Sequence, residues 1–205
     1  MNALILVDIQ NDFVPGGRLA VPDGDSIVPL VNSLQNSFQL VVATQDWHPQ
    51  RHKSFAANHP GKNPFDIIDL HGLEQVLWPD HCVQGSTGAN FYPDLSLDKV
   101  EAIFRKGMDA EIDSYSGFYD NGSRKATGLA GYLRERKVNK VFVCGLAADY
   151  CVAFTAKDAL RENFDTFVIA DATRPIDPLG FERAANEILG LGGQIIGSDQ
   201  LYRHL

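Results

Sequence analysis

Six short apolar runs, separated by stretches of helical spacing, constrain this chain more than any other feature. ALILV (3–7), LVVA (40–43), EAIF (101–104), VFVC (141–144), TFVIA (166–170) and QII (194–196) each have the length of a strand. Between the first two, Ile27, Leu30, Val31 and Leu34 recur at i, i+3, i+4 and i+7, which predicts a helix over 25–38. Further helices are predicted over 127–136, 149–162 and 178–189, with Asp149 placed to cap its own. Strands that are apolar on both faces need cover on both sides. The pattern therefore predicts a three-layer α/β/α fold around a parallel sheet of about six strands.

One stretch breaks the alternation. From 46 to about 98, Pro49, Pro60, Pro64, Pro79 and Pro93 interrupt any sustained period, which predicts a long loop or insertion holding a short helix at 72–78. The length of 205 residues fits a single domain over 1–205. Hydrophobic residues at 44% and charged residues at 21% exclude wholesale disorder. A net charge of −8 without any Lys/Arg run argues against nucleic acid as a partner. The first apolar run stops at Asp8 with no basic residue ahead of it, so no signal peptide is expected, and no run reaches the ~20 residues of a membrane helix. Cys82, Cys144 and Cys151 lack the spacing of a disulfide framework. A cytoplasmic chain is the expectation.

In an open α/β sheet, ligands bind beyond the carboxyl ends of the strands. The residues there are Asp8, then Thr44, Asp46 and His48, then Arg105 and Lys106, then the run 145–151, then Asp171. An acid, a lysine and a cysteine could thus converge on one edge. Cys151 near the start of a predicted helix has the position of a nucleophile, because free N–H groups and a nearby lysine favour a thiolate. The competing reading is a small buried hydrophobe, and Cys144 inside a strand takes that reading more readily. Asp46-x-His48 with His81 offers one carboxylate and two imidazoles, a divalent-metal set, although Asp-x-His also occurs in ordinary surface turns. His52, His59 and His71 are additional histidines in that stretch. No G-x-G-x-x-G, G-x-x-x-x-G-K-[ST] or G-x-S-x-G is present. Phe13, Trp47, Trp78 and Tyr115 fall in predicted loops and could wall a flat ring.

VDIQNDF (7–13), ATQDWH (43–48), WPDHC (78–82), FRKG (104–107), YSGF (115–118) and GLAADYC (145–151) resemble, in this order, the nicotinamidase branch of the isochorismatase-like cysteine hydrolases. VDIQNDF marks the wider superfamily, whereas WPDHC together with D-W-H is specific to the nicotinamide-cleaving branch. The resemblance implies that Asp8, Lys106 and Cys151 are the catalytic triad and that Asp46, His48 and His81 are metal ligands. It places Ala147 after a cis peptide, with the N–H groups of Ala147 and Cys151 forming an oxyanion hole. Phe13 and Trp78 match the aromatic walls around a pyridine ring, and Tyr115 of YSGF is taken with them as substrate-binding. His52 lies near the position where some relatives carry a further ligand, and its role stays open.

The implied activity is hydrolysis of nicotinamide to nicotinate and ammonia through a thioester on Cys151, in NAD salvage, with pyrazinamide as a further substrate. The implied cofactor is one divalent metal ion, zinc ahead of iron or manganese. The expected partner is the small-molecule substrate, with no nucleic acid and no membrane, and with room for a homo-oligomer. Three alternatives compete. An amidohydrolase of carbamoyl or ureido substrates usually lacks the D-x-H…H set, isochorismatase itself lacks the cysteine, and a non-catalytic binder would be expected to have lost at least one of these residues.

Overall fold

The computed structural model describes residues 1–205. Strands β1 (Asn2–Val7), β2 (Leu40–Asp46), β5 (Val100–Lys106), β6 (Lys140–Leu146), β7 (Asp165–Arg174) and β8 (Gln194–Ile196) form one sheet, in the order β5-β2-β1-β6-β7-β8. Every pairing in it is parallel. Helix α1 (Val28–Leu34) covers one face, and α2 (Leu129–Glu135), α3 (Ala153–Arg161) and α4 (Pro178–Gly190) cover the other.

Alternation along the strands explains the layers. Leu4 and Leu6 of β1 pack with Val28 and Val31 of α1 in one core. Ala3, Ile5 and Val7 turn to the opposite side, where they meet Leu129 and Leu133 of α2 and Ala153, Ala156 and Ala159 of α3. Each fully buried Leu, Ile or Val contributes about 1.5–3 kcal/mol by leaving water. The helix expected over 25–38 is split: single 3₁₀ turns at Gly24–Ile27 and Gln35–Ser37 flank α1, whose first turn carries Pro29.

The long segment after β2 contains structure of a different kind from the one predicted. Instead of a helix at 72–78, β3 (Ile67–Leu70) and β4 (Leu73–Val76) form an antiparallel hairpin. Leu73, Val76 and Leu77 mimic helical spacing, but His71 and Gly72 both take positive φ (55° and 83°), as a two-residue hairpin turn requires. Several strands also outrun their apolar runs. β2 reaches Asp46 and β5 reaches Lys106, so these two residues close their strands and sit side by side in register. β7 continues through an irregularity to Arg174, which places Asp171 within the strand, exposed and bonded to Ser198, away from the sheet edge where it was expected.

The chain winds outward from β1 in both directions, so the topological switch lies between β1 and β6. A crevice opens there, at the strands' carboxyl ends. Close approach of these two strands depends on Gly145, whose φ is +119° and where an added Cβ would lie 2.1 Å from the Val7 carbonyl oxygen. Gly145→Ala is expected to lower the free energy of unfolding by about 3 kcal/mol in urea titration. A change within about 0.5 kcal/mol would mean that the strands part there without cost.

Candidate active site

Asp8 follows β1, Asp46 ends β2, Lys106 ends β5, and Cys151 lies in a π-helical turn, Ala148–Val152, directly after β6. All four are buried. The Lys106 ammonium donates to Asp46 Oδ1 at 2.9 Å and to the Ser114 carbonyl at 2.8 Å, and lies 2.9 Å from Asp8 Oδ2 and 3.4 Å from Cys151 Sγ. Burial opposes its charge, but Asp46 and Asp8 outweigh that and hold its proton well above the ordinary lysine range. Asp8 is shifted upward, chiefly by burial and against the pull of Lys106, and also accepts from the Thr44 hydroxyl at 2.7 Å. Burial likewise raises the Cys151 thiol well above its usual value despite Lys106. The Cys151 thiol and the Asp8 carboxyl beside it thus both bind a proton more tightly than they would in water. The bond Leu146–Ala147 is cis, and the Ala147 N–H that it presents donates to no protein acceptor.

Asp46 also faces His48 and His81, with Oδ2 3.1 Å and 3.5 Å from their Nε2 atoms. Ligand atoms around a tetrahedral ion bound at about 2.0–2.1 Å stand about 3.3 Å apart, so these spacings fit one divalent cation. His48 Nδ1 lies 2.9 Å from the Gly107 carbonyl and His81 Nδ1 2.9 Å from the Pro79 carbonyl. Carbonyls can only accept, so both Nδ1 atoms carry hydrogen and both Nε2 atoms present lone pairs. His48 Nε2 has no hydrogen-bond partner although it is buried. Burial opposes a proton on His48, yet Asp46 draws one there, which marks the spot as attracting positive charge. Three buried carboxylates, Asp8, Asp46 and Asp113, stand against the one buried ammonium of Lys106, and a divalent ion would balance them. The residues fit the metal.

The supporting contacts explain parts of the motifs. The Gln10 amide pairs with both the N–H and the carbonyl of Asp46, at 2.8 and 2.9 Å, as a strand would. Asp12 accepts the Cys82 N–H at 2.7 Å, which fixes the turn that carries His81. Gly107, at φ +64°, leaves room for the His48 ring, which a Cβ would meet at 2.3 Å.

His52 differs from the other two histidines. The Ser54 N–H points at its Nδ1 from 3.2 Å, so the ring hydrogen lies on Nε2. Burial, and then His48, push its pKa down to about 4, so it is neutral. Its ligand atoms come within 4.8 Å of those of His48 and Asp113, but ligation through Nε2 would exchange the bond from the Ser54 N–H for one to the Ser54 hydroxyl, which lies 2.7 Å from Nδ1. His59 bonds the Lys53 carbonyl and His71 pairs with Glu111 at the surface, so neither joins the cluster.

A cleft of about 330 Å³ opens onto these groups, walled by Phe13, Trp78 and Tyr115 with Asp46, His81, Ala147 and Cys151 at its polar end. Trp47 lies outside it, under the Arg105 guanidinium at 3.9 Å. Leu19, Asp113, Tyr150 and Ile176 complete the wall without having been foreseen. Ile176 follows the true end of β7, so correct placement of that end would have found it. Asp149 does not cap its own helix; its carboxylate accepts the N–H groups of Ile176 and Asp177, each at 2.9 Å, and ties Ile176 to the turn that holds Cys151.

The isochorismatase domain profile matches residues 2–200. A nicotinamidase from Acinetobacter baylyi is 50% identical over 197 residues, which is 96% of this chain and 92% of that protein. The solved nicotinamidase–pyrazinamidase of Acinetobacter baumanii superposes with a TM-score of 0.96 at 50% identity, covering 98% of this chain and 97% of the other. A pyrazinamidase of Pyrococcus horikoshii solved in complex with zinc has a TM-score of 0.79 at 39% identity, covering 96% and 98%.

Metal content after reconstitution, measured by elemental analysis, is expected to collapse in His48→Ala and His81→Ala and to persist in His52→Ala. Loss of metal in His52→Ala comparable to the other two would overturn the assignment of its ring hydrogen.

Proposed function

This chain belongs to the isochorismatase family, and we infer that within it the protein is a nicotinamidase. It hydrolyses nicotinamide to nicotinate and ammonia in NAD salvage, and takes pyrazinamide as a further substrate. The observation that carries this reading is the meeting of Asp8, Lys106 and Cys151 at the end of an aromatic cleft beside Asp46, His48 and His81. We place the whole activity in one catalytic domain, working in the cytoplasm on a small molecule. A net charge of −8 supports the exclusion of nucleic acid, and no helix is long and apolar enough to cross a membrane.

The mechanism starts from the neutral thiol. With the carboxamide seated between the aromatic walls, Asp8 accepts the Cys151 proton and the sulfur attacks the carboxamide carbon. The Lys106 ammonium steadies both the Asp8 carboxylate and the developing thiolate, since it already touches the two groups. Negative charge moves to the amide oxygen, where the N–H groups of Ala147 and Cys151 receive it. Asp8 returns its proton to the nitrogen as the C–N bond breaks, and ammonia leaves behind a thioester. Asp8 then takes a proton from water, whose oxygen attacks the thioester carbon. As the C–S bond breaks, Asp8 returns that proton to the sulfur, and the acid loses its own proton to solvent and departs as nicotinate. Asp46, His48 and His81 would hold one divalent ion, zinc in first place, which when bound supplies a positive charge to orient the substrate ring.

Ammonia release from nicotinamide by the metal-loaded protein tests the reading directly, and Cys151→Ala is expected to reduce it by roughly 10³-fold or more while retaining metal. Normal turnover by that variant would remove Cys151 as nucleophile. The pH profile carries a second test. Asp8 must be ionised to accept the thiol proton, and burial raises its pKa above the ordinary 3.8. kcat/KM is therefore expected to fall with acidification at a midpoint above that value. A profile still flat there would exclude Asp8 as the proton carrier.

A further inference from the structure

Gly117 of the YSGF run lies outside the cleft walls, and its surroundings lead back to Asp8. Thr44 of β2 is fully buried, and its hydroxyl donates to Asp8 Oδ1 at 2.7 Å. The Lys106 ammonium lies 2.9 Å from the other oxygen, Oδ2, and 3.4 Å from Cys151 Sγ, so Oδ2 is the one turned toward the thiol. The Thr44 methyl is held in turn by Gly117. A Cβ there would meet Thr44 Cγ2 at 2.6 Å, whereas its next neighbours, on Leu129 and Thr155, would stand at 3.5 Å, an ordinary contact. Gly117 is itself pinned by two threonines: its N–H donates to Thr155 Oγ1 of α3 at 2.9 Å, and its carbonyl accepts from the Thr127 hydroxyl at 2.6 Å. A β-branched side chain is stiff about its first torsion, so a blocked methyl also fixes where the hydroxyl points.

We propose that Thr44 is a positioning residue for the proton carrier: its hydroxyl fixes Asp8 Oδ1, so that Oδ2 is the oxygen that exchanges the proton with Cys151, and Gly117 keeps that hydroxyl aimed. The inference rests on the nicotinamidase reading and adds to it two residues that touch no part of the cleft. Because Thr44 does not line the cleft, it acts on turnover and not on substrate binding. A carboxylate released at one oxygen can rotate, and displacing a reacting group by about 1 Å can cost about 10²-fold in rate.

The test compares metal-loaded Thr44→Val, Thr44→Ser, Gly117→Ala and the combination of Thr44→Ser with Gly117→Ala. It reads metal content, kcat for ammonia release from nicotinamide and, in a Cys151→Ala background, the nicotinamide dissociation constant. Thr44→Val, close in shape but without the hydroxyl, is expected to lower kcat by roughly 10–100-fold. Its metal content and dissociation constant are expected to stay unchanged, and Thr44→Ser is expected to keep most of kcat. Gly117→Ala is expected to lower kcat by roughly 10-fold. The combination is expected to recover it, because serine lacks the methyl that the new Cβ meets. Loss of metal or of binding in Thr44→Val in proportion to kcat would overturn the proposal, since the effect would then run through Asp46, two residues on. So would an equal fall in Thr44→Ser, or no recovery in the combination. Where Thr44→Val fails to fold, the Gly117→Ala series decides alone. If the unsubstituted protein releases no ammonia from nicotinamide, the nicotinamidase reading fails and this inference with it. That failure is separate, since it appears before any change at Thr44.

Discussion

A lysine ammonium sealed from water joins the two halves of this site. Lys106 is 2% exposed and reaches Asp8, beside Cys151, on one side and Asp46, beside His48 and His81, on the other with one set of protons. Removing such a charge from water costs several kcal/mol, and only close opposite charges with good geometry offset it. The sheet supplies that geometry: β5 pairs with β2 so that Lys106 and Asp46 stand in register, while β1 delivers Asp8 from the next strand. The arrangement is tightly determined, because a carboxylate without the lysine, or the lysine without a carboxylate, would be a buried uncompensated charge.

Several other features depend on that constraint. Gln10 clamps the backbone of Asp46, Asp12 fixes the turn before Cys82, and Gly107 admits the His48 ring, so the residues around the ammonium are held by backbone as well as by charge. Burial pushes the Cys151 thiol upward despite the Lys106 ammonium beside it. In the proposed mechanism its proton passes to Asp8, whose own proton affinity is raised by burial as well.

Much of this is legible in the residues. The six apolar runs mark all six strands of the main sheet. Because ligands bind beyond the strands' carboxyl ends, the residues just past those runs bring Asp8, Asp46, His48, Lys106 and Cys151 together from topology alone. The errors lie where tertiary structure extends or redirects local pattern. β7 runs past its apolar core through an irregular stretch, so the pattern puts Asp171 at the edge in place of Ile176. Asp149 has the position of a cap, but its carboxylate bonds a loop 27 residues away. The β3–β4 hairpin is hidden because LEQVLW has helical spacing and its turn signal is a single glycine after His71. With the hairpin go Gln75 and Asp113, whose contacts join residues 38 apart in the chain and leave no local signature.

The most direct measurement of the role given to Lys106 is the free energy of unfolding of Lys106→Met against the unsubstituted metal-free chain, followed from pH 8 down to pH 4. In the unsubstituted chain Asp46 is held well below its usual value; burial opposes this, and His48 and Lys106 outweigh it. Its stabilisation is therefore present throughout that range and is lost only as pH falls below the ordinary 3.8. Without the ammonium, both carboxylates are buried with less compensation and their folded-state values rise, so that the variant loses stability as pH increases. A gap of about 3–5 kcal/mol is expected at pH 8, narrowing steadily on acidification as the carboxylates take up protons. A gap of the same size at both ends would contradict the account, because it would mean that Lys106 stabilises the site by packing and not by its charge.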